Sequence, residues 1–246
     1  MKALLVCTLL ILFVVPAMAN GQESFGSDTF ATTGPLLEIT FIGHGTLMFT
    51  WGDLIIHIDP VSSQADYSGL PKADLILITH EHGDHLDTAA IETISQSDTQ
   101  IIYTALCAEK LEGHTVLVNG TERTILGVTI EAVPAYNIVN TRPNNGQPFH
   151  PPGIGNGYVL TFGDMRVYVA GDSENTPEMK ALKDIDIAFL PMNLPYTMTP
   201  GMAADAARAF RPRILYPYHF GETDTEELVR LLLGEDGIEV RIRDLK

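Results

Sequence analysis

Three of the chain's eight histidines fall within seven residues, THEHGDH, from Thr79 to His85, together with the acids Glu81 and Asp84. Neutral imidazole and carboxylate are the donors that borderline divalent ions such as zinc prefer. His80 and His82 occupy alternating positions and can face one side together, while Gly83 frees the backbone to turn. Asp84 and His85 then point at a neighbouring spot. Four donors so close in sequence do not converge easily on one ion, so the pattern predicts two adjacent ions. Further candidates are Asp59, Asp172 and His219, each at the end of an apolar run (LIIHIDP, VYVAGD and RILYPYH). His150 lies apart from these, in QPFHPPG. His44, between two glycines in FIGHGT, is read as a pocket or turn residue, and His57 as a packed one. His114, beside Gly113, is read as a surface-loop residue. Asn193 and Tyr196 follow IDIAFLP and offer either hydrogen bonds to a substrate or turn caps. The run Gly153, Gly155, Gly157 has no following helix, so a phosphate cradle is not expected. No G-x-S-x-G occurs, so a serine nucleophile of that kind is not expected.

A strand end is a rigid platform from which a tight turn can aim such donors. DLILITH, Asp74 to His80, is a continuous apolar run, as expected of a strand buried on both faces. Around it, LLEITFIG, TLMFTWG, LIIHIDP, IIYTA, TVLV, TILG and VTIEAVPA read as strands. A helix is expected over Asp87–Ser95, and a short one around Cys107 and Leu111. Asn137–Asn156 has little periodicity and reads as a long loop, a feature that often borders an active site. GYVLTFGDMRVYVAGD predicts a hairpin turning at Gly163-Asp164. A short helix after Pro177 and the strand IDIAFLP come next. A helix starting at Thr199 and Pro200 is expected from its N-cap and first-turn proline. RILYPY, TEELVRLLL and IEVRI complete the series as strand, helix and strand. The second half repeats the strand-then-helix order of the first. That suggests two β-sheets face to face with helices outside, although periodicity alone does not fix the α/β fold of four layers, αββα, that this would make.

The chain has 246 residues, 45% hydrophobic and 19% charged, which suits a globular protein with a sizeable core. Acids outnumber Lys plus Arg by 31 to 15. That balance excludes a phosphate-backbone partner and disfavours an anionic membrane surface. The start, MKALLVCTLLILFVVPAMA, reads as a signal peptide, residues 1–19: Lys2, an apolar run too short to span, and the small-residue signal Ala17-Met18-Ala19. Cleavage is expected after Ala19, removing Cys7 and leaving Cys107 without a disulfide partner. Residues 20–35 read as a flexible N-terminal segment and 36–246 as one domain. The expected location is periplasmic or secreted, with no stable membrane anchor after cleavage; the oligomeric state is open.

His80-x-His82-x-Asp84-His85 after an apolar strand resembles the metal-binding signature of the metallo-β-lactamase-fold hydrolases, and Asp59, Asp172 and His219 match that family's other landmarks in order. The likeness covers Leu36 to the C-terminus. VYVAGDSENTPEM and DIAFLPMNLPYTMTP resemble a branch with ascorbate-phosphate lactonase-like and phospholipase D-like members. The resemblance implies that His80 and His82 ligate a first metal and Asp84, His85 and His219 a second, with Asp172 bridging. It makes Asp59 a residue that orients a ligating histidine. The family's third histidine normally follows the strand that here reads VTIEAVPA, where this chain has Tyr136 and Asn137 instead. His150 is therefore expected to complete the first site with Asn137 as a polar neighbour, the alternative being a lid residue touching substrate or solvent.

Two divalent ions are expected, zinc first, with Mn2+, Fe2+ or Ni2+ as alternatives. The function expected is an exported metal-dependent hydrolase that uses a metal-bound hydroxide on a lactone, phosphoester or carboxylic ester of a small molecule. Asp84 or Asp172 is expected to handle the proton. β-Lactam hydrolysis and a non-catalytic metal-binding protein of the same fold are the alternatives.

Overall fold

The computed structural model describes residues 24–246. The expected signal peptide and its cleavage position lie outside them. Two seven-stranded sheets run in mirrored order. The first comprises β1 (Gly26–Phe30), β2 (Leu37–Gly43), β3 (Thr46–Trp51), β4 (Leu54–Ile58), β5 (Leu75–Leu77), β6 (Gln100–Tyr103) and β7 (Thr115–Val116). The second comprises β8 (Glu122–Ile125), β9 (Val128–Ala135), β10 (Gly155–Phe162), β11 (Met165–Val169), β12 (Ile187–Pro191), β13 (Ile214–Tyr218) and β14 (Glu239–Val240). In each sheet the first four strands pair antiparallel and the rest parallel. The repeat visible in the sequence is thus a repeat of topology.

Three apolar clusters make the layers. Between the sheets, Leu37, Phe49, Leu75 and Leu77 of the first meet Tyr158, Phe162, Phe189 and Tyr216 of the second. Ile76, Ile78 and Ile101 turn the other way, onto Ala90, Ile91 and Ile94 in and around α1 (Thr88–Ile94). On the far side Val159, Tyr168, Ala188 and Leu190 pack under α2 (Pro177–Lys180), α3 (Pro200–Phe210) and α4 (Thr225–Leu232). A central strand covered on both faces must be apolar at every position, which is why LILI carries no alternation. The small residues Ala203, Ala204, Ala206 and Ala207 let α3 approach its sheet closely. Thr199 caps α3 as expected, accepting from the Met202 amide, and Asp87 caps α1.

Three expectations need correction. Gly26–Phe30 is an ordered edge strand and not part of a flexible segment. Its Asp28 carboxylate accepts two hydrogen bonds from Arg243, at 2.9 and 2.6 Å, and is bonded by the Tyr216 hydroxyl. Partners so far along the chain leave no local signal. The strand expected in DLILITH stops at Leu77, so His80 stands past its end on non-strand backbone. The helix expected around Cys107 is one 3-10 turn, Cys107–Glu109.

His57 is fully buried, as expected for a packed residue, with Nε2 facing the Pro71 carbonyl at 3.1 Å and Nδ1 without a partner. Burial lowers its pKa from 6.5 to about 4, against a smaller rise from the Pro71 bond. The unfolded chain therefore binds this proton more tightly. The fold keeps its full stability above pH 6.5 and loses up to about 3 kcal/mol as pH falls from 6.5 to 4. Urea midpoints of the parent and His57→Leu should diverge by that amount across this window; parallel curves would refute it.

Candidate metal centre

The candidate ligands gather on the rim where the two sheets meet, in the loops that follow β5, β11 and β13, with His150 in the long loop between β9 and β10. The turn after β5 carries His80, His82, Asp84 and His85, with the His85 and Leu86 amides donating to the His82 carbonyl. Asp172 follows β11 and His219 follows β13. Backbone strain is concentrated here. His44, Asp59 and His219 are three of the six non-glycine residues with positive φ among the described residues, at 52°, 46° and 45°.

A layer of hydrogen bonds beneath the donors assigns their tautomers. Asp59 Oδ1 accepts the Thr79 amide at 2.8 Å, and Oδ2 accepts the Thr79 hydroxyl at 2.6 Å. Oδ2 also accepts His85 Nδ1–H at 2.8 Å, which leaves His85 Nε2 as a lone pair. Thr79 Oγ1 has spent its proton on Asp59, so it accepts from His80 Nδ1–H at 3.0 Å, and His80 Nε2 is a lone pair too. Asn137 Oδ1 accepts both His150 N–H at 2.7 Å and His150 Nδ1–H at 2.8 Å, freeing His150 Nε2. The result is a set of acceptors facing acceptors, which only cations can satisfy.

The distances sort these acceptors into two groups. In the first, His80 Nε2 lies 3.1 Å from His82 Nδ1. His150 Nε2 lies 3.3 Å, and His80 Nε2 3.9 Å, from Asp172 Oδ2. In the second, Asp172 Oδ1 lies 3.5 Å from His85 Nε2 and 3.6 Å from His219 Nε2, and Asp84 Oδ2 lies 3.5 Å from His219 Nε2 and 3.9 Å from His85 Nε2. Four donors about 2.0–2.2 Å from one tetrahedral ion stand roughly 3.3–3.6 Å from each other. Both groups fit ions of this class. The buried atoms His85 Nε2, His219 Nε2 and Asp172 Oδ1 have no hydrogen-bond partner within the protein, as expected of ion-facing donors.

The electrostatics agree. Burial, with His85, His150 and His82 nearby, pushes His80 well below its ordinary pKa, outweighing Asp172; burial and His150 lower His82. Both stay neutral and able to ligate. Burial would raise Asp172, but His219, His85, His150 and His80 hold it ionised. For His85 burial works downward, yet Asp172, Asp59 and Asp84 carry it up to about 9. In the ion-free site a proton on His85 thus takes the place of the cation, and an ion binding there below that pH releases it.

The structure brings His150 to the His80–His82 pair, the three donor atoms lying within 4.8 Å of one another. Asn137 lies beside it, as expected. His44 stacks on His219 with ring centroids 3.7 Å apart and has Nε2 at 3.5 Å from Asp84 Oδ2. His44, Asp84 and His219 form a group whose donor atoms lie within 4.8 Å of one another, so His44 joins the second group as a further candidate ligand. Asn193 serves the turn. Its amide donates to Thr197 Oγ1, and its carbonyl accepts the Tyr196 and Thr197 amides. Tyr196 borders the centre through its carbonyl, which accepts Asn137 Nδ2 at 2.8 Å, and through its ring, which packs edge-on against Phe149 beside His150. His114 is exposed, as expected for a surface loop.

Three residues here escaped the sequence reading. Thr79 lies inside the motif but offered no ligand. Gly45 has no room for a side chain: a Cβ would stand 2.8 Å from His85 Cε1 and 3.4 Å from His219 Cδ2. Glu174, fully buried, is the acceptor for the backbone of the loop that carries Asn137. A buried acid two residues after a ligand carries no sequence signal of its own.

Two mixed sheets packed face to face, with a histidine and carboxylate cluster at their shared rim, define the metallo-β-lactamase class of fold. The chain matches the Beta-lactamase superfamily domain over residues 38–219 and belongs to that superfamily. A UPF0173 metal-dependent hydrolase of Thermococcus kodakarensis is 32% identical over 224 residues, covering 80% of this chain and 92% of the relative. One of Thermus thermophilus is 31% identical over 194 residues, covering 75% and 84%. Among solved structures, a protein of Parabacteroides distasonis described as a metal-dependent hydrolase is 54% identical, with a TM-score of 0.86 over 91% of this chain and 100% of that one. The metallo hydrolase Igni18 of Ignicoccus hospitalis shares the fold at 20% identity, with a TM-score of 0.66 over 85% and 95%.

Proposed function

We propose that this protein is a dinuclear metal-dependent hydrolase of ester-like bonds in small molecules: lactones, phosphoesters or carboxylic esters. The observation that carries the reading is the set of ring nitrogens of His80, His82, His150, His85 and His219 gathered around the buried Asp172 carboxylate. Bound ions would supply an acidified water as nucleophile and a clamp for the developing oxyanion. His80, His82 and His150 would hold one ion and Asp84, His85 and His219 the other, with one oxygen of Asp172 for each. Asp59 and Thr79 keep His85 and His80 in the tautomer that ligates. The Asp84 side chain is 53% exposed while that of Asp172 is 4% exposed. Asp84 is therefore the carboxylate able to pass a proton between the site and solvent. Ile138, Val139, Leu194 and Tyr196 are exposed on the two loops that meet at Asn137, which supports a substrate with an apolar portion. Zinc suits this nitrogen-rich donor set, and Mn2+, Fe2+ and Ni2+ remain reasonable. The N-terminal pattern supports a periplasmic or secreted location.

Metal analysis of the purified protein, with turnover of a lactone, phosphodiester and β-lactam panel, tests this reading. Two ions per chain and lactone or ester turnover that a chelator abolishes are expected. β-Lactam turnover alone would favour the second enzyme reading. Tight metal binding without any turnover would favour a binding protein.

A further inference from the structure

Glu174 is fully buried, and no Lys or Arg pairs with it among the described residues. A carboxylate taken out of water without a counter-charge is costly unless hydrogen bonds replace its hydration. Here four N–H donors do so. Oε2 accepts the Ile138 and Val139 amides, both at 2.7 Å, while Oε1 accepts the Asn140 amide at 2.7 Å and Asn137 Nδ2 at 3.2 Å. The Glu174 amide in turn donates to the Tyr136 carbonyl at 2.9 Å. The start of the loop is thereby locked to the segment that carries Asp172.

The consequence lies at Asn137. Its Nδ2 has two acceptors, Glu174 Oε1 and the Tyr196 carbonyl, so its Oδ1 has to face His150. That oxygen accepts both His150 N–H and Nδ1–H. His150 Nε2 is then the nitrogen that faces the centre, 3.3 Å from Asp172 Oδ2. Were the amide reversed, its NH2 would meet the His150 donors, and the imidazole would have to change tautomer and lose its lone pair toward the centre.

We propose that Glu174 is a positioning residue of the metal centre, acting through the Asn137 amide to fix the tautomer and aim of His150. The proposal rests on the dinuclear reading above. It also explains why Asn137 stands where the superfamily signature leads one to expect a histidine: the ligand is supplied from further along the loop, and the Glu174–Asn137 pair holds it there.

The test is metal affinity, read by chelator competition with Co2+ or Zn2+. In Glu174→Gln, affinity at one of the two sites should fall about 10–100-fold and the other should hold, the usual size of effect for a group that orients a ligand. Asn137→Ala should give the same site-selective loss, and the double variant should lose no more than either single one, because the two act in series. In a His150→Ala background, Glu174→Gln should cost nothing further. A loss of equal size in that background, or an additive double variant, would mean that Glu174 only stabilises the loop and would overturn the proposal. So would an unchanged affinity in Glu174→Gln. If Glu174→Gln does not fold, Asn137→Ala with and without His150→Ala decides the matter. Failure of the parent to bind two ions would instead refute the dinuclear reading.

Discussion

Asp172→Ala should purify with neither site filled at metal concentrations that saturate the parent. Among the described residues Asp172 is the one whose two oxygens face different groups of donors: Oδ2 toward His80 and His150, Oδ1 toward His85 and His219. A closed four-ligand site is worth roughly 10–16 kcal/mol in peptides that fold around zinc, so one ligand of four carries about 3 kcal/mol, about a hundred-fold in affinity. Asp172→Ala takes that from both ions at once, and from the hydroxide they would share. Hydrolytic activity should drop with it by about a thousand-fold or more. Metal content after dialysis, with circular dichroism to verify folding, checks the claim. A variant that keeps two ions would remove the bridging role. Asp172→Asn, which keeps the volume and loses the charge, should fall between.

Asp59→Ala should combine a fold defect with a metal defect. The side chain is 1% exposed and answers three buried donors: the Thr79 amide, the Thr79 hydroxyl and His85 Nδ1–H. Each buried donor left unpaired costs roughly 1–3 kcal/mol, so a stability loss of about 4 kcal/mol is expected. The loss of His85 orientation should also weaken the second ion by about 10–100-fold, with a smaller effect on the first through Thr79 and His80. Denaturant unfolding of the ion-free proteins measures the first part, and chelator competition measures the second. Full stability with unchanged affinity would show that Asp59 supports neither. The positive φ of Asp59, 46°, makes this position a poor one for most residues, so Asp59→Asn is the gentler companion, since Asn tolerates that conformation.

The parts of the centre legible in the sequence were those where ligand chemistry is dense and local. THEHGDH was readable because several donors follow one apolar strand, and the burial of that strand rules out a merely solvated turn. Asp59, Asp172 and His219 were readable only through the resemblance to the superfamily, whose landmarks they match in order along the chain. His150 was harder. Its loop lacks periodicity, and the superfamily pattern pointed to the position Asn137 occupies. Glu174 was not readable at all, because an acid in GDSEN looks like any turn acid until four N–H groups are found around it. The edge strand at Gly26–Phe30 was invisible for a similar reason, being held by Arg243, 215 residues away.

By itself, the sequence determined the type of chemistry, since histidine and carboxylate in this pattern suit borderline divalent ions and little else. Its two similar halves suggested two sheets with helices outside, while the four-layer arrangement itself was implied by the resemblance to the superfamily and not by periodicity. The tertiary structure decided which nitrogen of each imidazole faces inward, since that depends on hydrogen bonds from Asp59, Thr79 and Asn137, which only folding brings into place. It also decided that His44 joins Asp84 and His219 at the second group and that the Asn193 backbone closes a turn. Tautomer and aim are properties of distance and angle, and two sheets meeting rim to rim create distances that no spacing along a chain encodes.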